Sequence, residues 1–318
     1  MGSVPVNTFT TNQAIGNRED LIDIIYRIDP IETPFMSGID RDKCTAVWHE
    51  WQTQALAAPD TNNARLEGQD AQTVAATPTV RLNNRTQISD KVAQVSGTQQ
   101  SVESAGRSNE MAYQEMLKGL EIKRDLEAIL MSNQAKLVGS STVPPRTGAI
   151  LSWMVDNVSM ASDGANPTAA DGASARTDGT QIAFTEIRLK EVLSSIWTGG
   201  GRPNIIMTGA FNKQRFSTFT GRSVATEEAK RKKITASVDA YESDFGTLKV
   251  VPNRFQRPRD VHVLQMNMWA VAFLPGRNMT SIPLARTGDS VRRQVLVEYC
   301  LVARQPKASG GVYDCTVQ

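Results

Sequence analysis

The feature that most constrains this chain lies between residues 45 and 70, where a tryptophan-rich strand pattern leads into a long polar segment. Side chains alternate from Thr45 to Thr53, so Trp51 faces one side of the predicted strand and Trp48 faces the other. The residues that follow, AAPDTNNARLEGQD, offer almost nothing to a hydrophobic core. One face of the strand is therefore expected to pack on the protein, whereas the other face needs a partner.

A return strand is predicted in the segment TVAATPTVRLNNRTQISDKVAQVSG, residues 73–97, where valine and leucine recur in contexts that favour strands. Together the two strands make a long hairpin with a hydrophilic end. An isolated two-stranded hairpin is at best marginally stable in water, so contacts outside the hairpin must hold it in place.

Composition indicates a globular protein. The 318 residues are 40% hydrophobic and 21% charged, which is enough for one large core or two modest ones. No stretch approaches the roughly 20 apolar residues of a membrane span. The first residues lack a secretory pattern, so a cytoplasmic protein is expected. The formal net charge of +2 is more balanced than a dedicated nucleic-acid binder would show.

Helical patterns flank the hairpin. A short helix is predicted in NREDLIDIIYRIDP, residues 17–30. The longest helix is predicted from Ser108 to Asn133, with a length of about 35–40 Å. From residue 138 onward, loops precede an alternation of helices and strands that is typical of an α/β unit. Residues 290–317 are predicted to form a hairpin, which would bring Cys300 near Cys315. With Cys44 they make an odd, sparse set, so no disulfide framework is expected.

Residues that would carry chemistry are scarce. Neither His49 nor His262 has a second ligand at a metal-binding spacing, and the sequence contains no nucleophile or phosphate-loop motif. We therefore predict no catalytic, cofactor-binding or metal-binding residues and no enzyme activity. The strongest charge cluster is EEAKRKK, residues 227–233, which is interpreted as a solvated face rather than a nucleic-acid contact. A charged interface is the alternative role of the basic residues Lys230, Arg231, Lys232, Lys233, Arg292 and Arg293.

The order of segments resembles the major capsid proteins of tailed bacteriophages, which have the Hong Kong 97-type fold. The resemblance is carried by DLIDIIYRIDPIETPFMSGI, by HEWQTQALAAPDTNNARLEGQD and by YESDFGTLKVVPNRF, and it covers most of the chain in order. It implies an α+β fold with an N-terminal arm (1–40), an extended β-hairpin loop (E-loop, 41–95), a peripheral domain with a long spine helix (96–145 and 284–318) and an α/β axial domain (146–283).

The resemblance implies a protein that assembles into hexamers and pentamers of an icosahedral shell around phage double-stranded DNA. The polar tip of the hairpin would then be covered by a second copy of the chain. Inter-subunit contacts are expected from the arm and the extended loop, at Phe35, Trp48, Glu50, Trp51, Gln52, Arg65 and Glu67.

Further partners of such a shell are minor capsid, decoration, portal and scaffolding proteins, together with non-specific contact to DNA. The expected location is the virion, after assembly in the bacterial cytoplasm, with no cofactor and no membrane partner. Two alternatives remain at this stage: an encapsulin-like cargo shell, and an α/β enzyme with a ligand site in the Ala/Gly-rich middle.

Overall fold

The computed structural model describes residues 30–71, 73, 76–102, 109–219 and 239–318. Most of the predicted helix 17–30, most of the predicted arm and the basic stretch 230–233 lie outside these residues. Within them the strands are β1 (Asp40–Lys43), β2 (Trp48–Thr53), β3 (Val80–Arg85), β4 (Gln87–Ser96), β5 (Val158–Ser159), β6 (Ile205–Thr208), β7 (Ala240–Ser243), β8 (Gly246–Pro252), β9 (Val261–Leu264), β10 (Trp269–Phe273), β11 (Thr280–Leu284), β12 (Ser290–Ala303) and β13 (Gly310–Val312). The α-helices are α1 (Pro34–Gly38), α2 (Gly97–Ser101), α3 (Glu110–Leu130), α4 (Glu186–Thr198) and α5 (Ala210–Phe216).

A five-stranded sheet is organised by the 14-residue strand β12. One edge of β12 pairs with β10 and β11, and the other edge pairs with β4; all three pairings are antiparallel. Strand β1 adds to β10 in parallel. The second half of β12 is buried throughout, which explains its near-continuous run of apolar residues.

Helix α3 is the observed form of the predicted long helix. Its N-cap is Asn109, whose side chain accepts the backbone N–H of Ala112 (3.0 Å). One stripe of the helix, including Ile122, Leu126 and Leu130, packs into the largest hydrophobic core together with inward residues of β12. The stripe repeats every three to four residues because one helical turn takes 3.6 residues.

Glu127 lies on the buried side of α3 and ties two other segments to it. Its carboxylate accepts the backbone N–H groups of Phe35 and Met36 at the start of α1 (2.8 Å each) and the side-chain amide of Asn253 (2.7 Å). These donors stabilise the charged form, but burial is the larger effect and raises the pKa of Glu127 above its ordinary value. The carboxylate thereby supplies acceptors for helix N–H groups that have no partner inside α1.

A second layer is a six-stranded sheet in the order β5–β13–β9–β6–β8–β7. Helix α4 contributes four buried residues to its core: Leu189, Val192, Leu193 and Ile196. The helix ends at Thr198, and Gly199 follows its last residue. This part of the chain alternates helices and strands, as the sequence pattern indicated.

Two sequence predictions need correction. The C-terminal hairpin does not form, because a turn at Pro306–Ala308 sends β13 into the six-stranded sheet while β12 stays in the other. Cys315 therefore lies in a different core from Cys300, whose thiol neighbours Cys44 instead. Strand pairing also crosses the boundary predicted between residues 283 and 284. Strands β10 and β11 pair with β12 in the five-stranded sheet, although β10 and most of β11 precede that boundary. Strand β13 follows the boundary and pairs in the six-stranded sheet.

Candidate functional site: a hairpin with a buried stem and an exposed tip

Strands β2 and β3 form a separate two-stranded antiparallel ribbon, which we call the stem. Residues 54–79 connect them and are called the tip. The predicted return strand is interrupted at Thr86: β3 belongs to the ribbon, whereas β4 belongs to the five-stranded sheet. The projecting hairpin therefore spans Trp48 to Arg85, and it is shorter than the predicted loop of residues 41–95.

Asn84 fastens the stem to the body of the protein. Its side-chain amide donates to the carbonyl oxygens of Gly148 (3.1 Å) and Leu301 (2.6 Å), and its Oδ1 accepts the N–H of Gly148 (2.8 Å). The residue is fully buried. A buried amide with each of its groups paired fixes the stem in one position, because any shift would leave several polar groups without partners.

Trp51, on the neighbouring strand β2, fixes the same face of the stem, because the register pairs Trp51 with Leu82 and His49 with Asn84. Its indole Nε1 donates to the carbonyl oxygen of Ala303 at the end of β12 (2.9 Å), and its ring lies 5.5 Å from the ring of the buried Trp153. This is the inward-facing tryptophan of the predicted strand. The body of the same protomer therefore supplies its partner.

Two polar contacts complete the attachment. Lys136 donates from Nζ to Asn83 Oδ1 (2.8 Å) and to the carbonyl oxygen of Asp171 (2.6 Å), and burial lowers the pKa of Lys136. Just beyond the stem, Thr86 donates to Glu298 Oε1 (2.9 Å), whose other oxygen accepts Arg277 Nε (2.6 Å). Lys136 thus holds the stem, and Glu298, itself paired with Arg277, holds the residue that follows it.

Trp48 lies on the opposite face of the stem and remains 38% exposed. Its Nε1 donates to Glu50 Oε1 (2.6 Å), and the Arg85 guanidinium lies 3.9 Å from its ring centroid. Glu50 also approaches Arg81 (3.5 Å) in an exposed ion pair. This face is an ordered, amphipathic surface in which a large ring is pre-oriented without being covered.

The hydrogen bonds of the described tip residues stay within the hairpin. Gln54 donates to the carbonyl oxygen of Thr77 (3.0 Å), and Thr79 donates to Gln52 Oε1 (3.0 Å). Leu56 is 97% exposed and Leu66 is 79% exposed. Neither leucine is covered by the body of its own protomer.

The other residues predicted as contacts fall into three groups. Arg65 and Glu67 are exposed in the tip, and Gln52 is exposed at its border. Phe35 is fully buried in the core of its own protomer, where it leaves no surface for another copy. Arg293 pairs with Glu115 of α3 (3.2 Å), and Arg292 is half-buried in β12.

Sequence reasoning missed Asn84 and Glu127. Neither has a signal in its neighbourhood, because their partners are 64 to 217 positions away for Asn84 and 91 to 126 for Glu127. A polar residue inside a predicted strand or on the apolar stripe of a helix is the only hint available, and many such residues are simply exposed.

The described parts of the chain contain no group of three or more His, Cys, Asp and Glu side chains arranged to hold a metal ion. His262 is fully buried beside Tyr313, and burial lowers its pKa to about 3. None of the helices in these parts has the length and apolar character needed to cross a bilayer.

The structure is similar to the capsid asymmetric unit of cyanophage A-1(L), with a TM-score of 0.63 and 13% identity over 97% of this chain and 99% of that one. It is also similar to the SrpI encapsulin complex of Synechococcus elongatus PCC 7942, with a TM-score of 0.56 and 12% identity over 95% and 93% of the two chains. The class is thus the Hong Kong 97-type capsid fold, a mixed α+β shell fold.

The family follows from sequence. The family model described as "SU10 major capsid protein" matches residues 5–316, so the chain belongs to that family. The major capsid protein of Escherichia phage Phieco32 is 29% identical over an alignment that covers 96% of both chains. This chain is therefore a major capsid protein, a non-enzymatic structural protein of the icosahedral phage shell in the virion. Capsids are assemblies of many copies, and the solved capsid of phage G also carries decoration proteins.

Proposed function

We propose that the tip of the hairpin lies on a neighbouring copy of the chain and links the copies into hexamers and pentamers. The observation that carries the proposal is the contrast within one hairpin: Asn84 and Trp51 fix the stem to its own protomer, whereas Leu56 and Leu66 are exposed. A rigid stem presents the tip at a constant angle, so the same contact can repeat around a ring. A contact between two different surfaces of one chain closes into rings in this way.

The other elements take roles within that shell. In this proposal α3 is the spine of a peripheral domain that also contains the five-stranded sheet, and the six-stranded sheet with α4 and α5 is the axial domain. We assign β10 and β11 to the peripheral domain because they belong to the five-stranded sheet, and β13 to the axial domain because it belongs to the six-stranded sheet. The N-terminal segment, of which α1 is described, is the arm, anchored on Glu127.

The shell is proposed to enclose double-stranded DNA without reading its sequence, since the net charge of +2 leaves most phosphate neutralisation to small ions. Portal, scaffolding, minor capsid and decoration proteins are proposed as further partners, with assembly in the bacterial cytoplasm. A cargo compartment shares the fold, but membership of a phage capsid family favours a DNA container.

The test removes residues Ala55 to Asp70. We expect a folded, soluble protomer that no longer forms shells, because the deletion leaves the stem contacts intact. Circular dichroism reports folding, and negative-stain electron microscopy with sedimentation velocity reports assembly.

A double substitution tests the same contact without shortening the loop. Leu56→Ser with Leu66→Ser should also reduce shell yield. The matched control is Val138→Ser with Val143→Ser, which removes two exposed apolar side chains from another loop and should assemble normally. Unchanged shells from both tip variants would refute the role given to the tip.

A further inference from the structure

Helix α4 displays large apolar side chains on its outer face. Its inner face is buried, but Ile187 is 70% exposed and Trp197 is 58% exposed. Phe245, in the turn between β7 and β8, is 41% exposed, and its ring lies 5.4 Å from that of Trp197. We call the neighbouring rings of Trp197 and Phe245 the aromatic ridge. Isolated exposed apolar residues are common, but two neighbouring aromatic rings are typical of surfaces that are covered on association.

A groove runs beside this ridge, between α4 and the β7–β8 turn. It has a volume of about 280 Å³, and its lining residues are Glu186, Lys190, Leu193, Tyr241, Glu242, Ser243, Asp244 and Phe245. Leucine and aromatic side chains give it an apolar floor.

The rim of the groove is acidic. Among the described residues that line the groove, Lys190 is the single cation, and it pairs with Glu186 (2.9 Å), which also accepts the hydroxyl of Tyr241 (3.3 Å). Glu242 and Asp244 are exposed at the opposite side of the groove. The groove therefore carries excess negative charge.

An apolar floor with carboxylates around it suits the side chain of lysine or arginine. The methylene groups of such a side chain pack on the floor, and its charged end reaches the carboxylates and the aromatic rings. The most concentrated positive charge of this chain is the run Lys230–Lys233, which the sequence places between α5 and β7. One chain thus supplies both an acidic groove and a basic segment.

Building on the proposed function, we propose that the groove between α4 and the β7–β8 turn receives the basic run Lys230–Lys233 of a neighbouring copy. Two different surfaces of one chain then meet at every copy-to-copy boundary, which is the arrangement that closes into a ring. A second copy is favoured over the chain's own segment because the aromatic ridge extends beyond the groove. Covering it requires a contact larger than one side chain. Complementary charge directs the encounter and sets its register.

The test uses charge reversal on each side. Variant A carries Glu242→Lys and Asp244→Lys; variant B carries Lys230→Glu, Arg231→Glu, Lys232→Glu and Lys233→Glu. Variant C combines both sets. In A and B alone, groove and segment have the same sign, so we expect shell yield at low salt to fall about tenfold. Circular dichroism verifies that each variant is folded.

A mixture of variants A and B distinguishes a contact between neighbouring copies from a contact within one chain. In the mixture, the basic groove of A meets the acidic segment of B, and the acidic groove of B meets the basic segment of A. We expect shells to return in the mixture and in variant C. The control Asp156→Lys with Asp289→Lys reverses two exposed carboxylates outside the arm, the hairpin and the groove, and it should assemble normally.

Three results would overturn the proposal. Shells from A at the normal yield would show that the groove is not a contact. Recovery in C without recovery in the A and B mixture would show that each groove holds its own chain's segment. A defect in B that is confined to DNA retention would assign the segment to nucleic acid. Failure of the tip proposal is distinguishable, because it would appear as normal assembly of the tip variants while A and B remain defective.

Discussion

The stem and the tip of one hairpin differ in what stabilises them. Asn84 and Trp51 in the stem are paired with backbone groups of the protomer's own body. The described residues of the tip have only local hydrogen bonds and two exposed leucines. The hairpin is therefore fixed to the body at its stem, and its tip is exposed. Within this hairpin, the contacts that stabilise the protomer lie in the stem.

The largest effect on the protomer is expected from Asn84→Ala. This variant leaves the carbonyl groups of Gly148 and Leu301 and the N–H of Gly148 without their partner in a buried site. The free energy of unfolding should fall by about 3 kcal/mol. Denaturant unfolding of the unassembled protomer measures it. The tip control Gln54→Ala should change it by less than about 0.5 kcal/mol, and a control loss equal to that of Asn84→Ala would break the comparison.

An intermediate effect is expected within the stem itself, between two tryptophans three positions apart. Trp51→Phe removes the donor to Ala303 and shrinks a packed ring, so it should cost roughly 2 kcal/mol of unfolding free energy. Trp48→Phe affects an exposed ring and should cost less than about 0.5 kcal/mol. Its effect should appear in shell yield instead. Equal costs for the two substitutions would mean that both faces of the stem are used inside the protomer.

The smallest effect concerns pH. Burial lowers the pKa of His49 in the stem below its ordinary value of 6.5, although the charge of Asp42 partly opposes the shift. The folded state therefore favours the neutral ring. His49 contributes stability that is present above pH 6.5 and is lost as the pH falls through the lowered value.

Unfolding measured between pH 7.5 and 5 should thus show a steeper acid decline for the wild type than for His49→Gln. Identical slopes for the two proteins would show that the stem does not shield this ring from water.

Much of the architecture could be predicted from local patterns. The helix at Glu110–Leu130 repeats its apolar residues with the helical period, and the alternation around Trp48 and Trp51 marks a strand with two different faces. The end of α4 is marked by glycines. Each of these signals arises within a few residues of the chain, where backbone geometry alone sets the spacing.

Long-range pairing could not be predicted in the same way. The return strand shows one continuous pattern, yet β3 stays in the ribbon and β4 pairs with β12, some 200 positions away. Strand β13 has the composition for a hairpin with β12 but pairs with β9. A strand pattern specifies which side chains share a face and leaves open which edge of which sheet will accept the strand.

The sequence by itself determined that this chain has a long helix, a tryptophan-bearing hairpin with a polar end, and segments in the order of a phage capsid protein. Tertiary structure alone decided that Trp51 faces the body of the protomer and Trp48 faces solvent. It also decided that Phe35 is buried in the core and that Asn84 fixes the stem. The physical reason is that alternation along a strand is symmetric between its two faces. Only the packing of distant segments, such as the end of β12 against Trp51, breaks that symmetry.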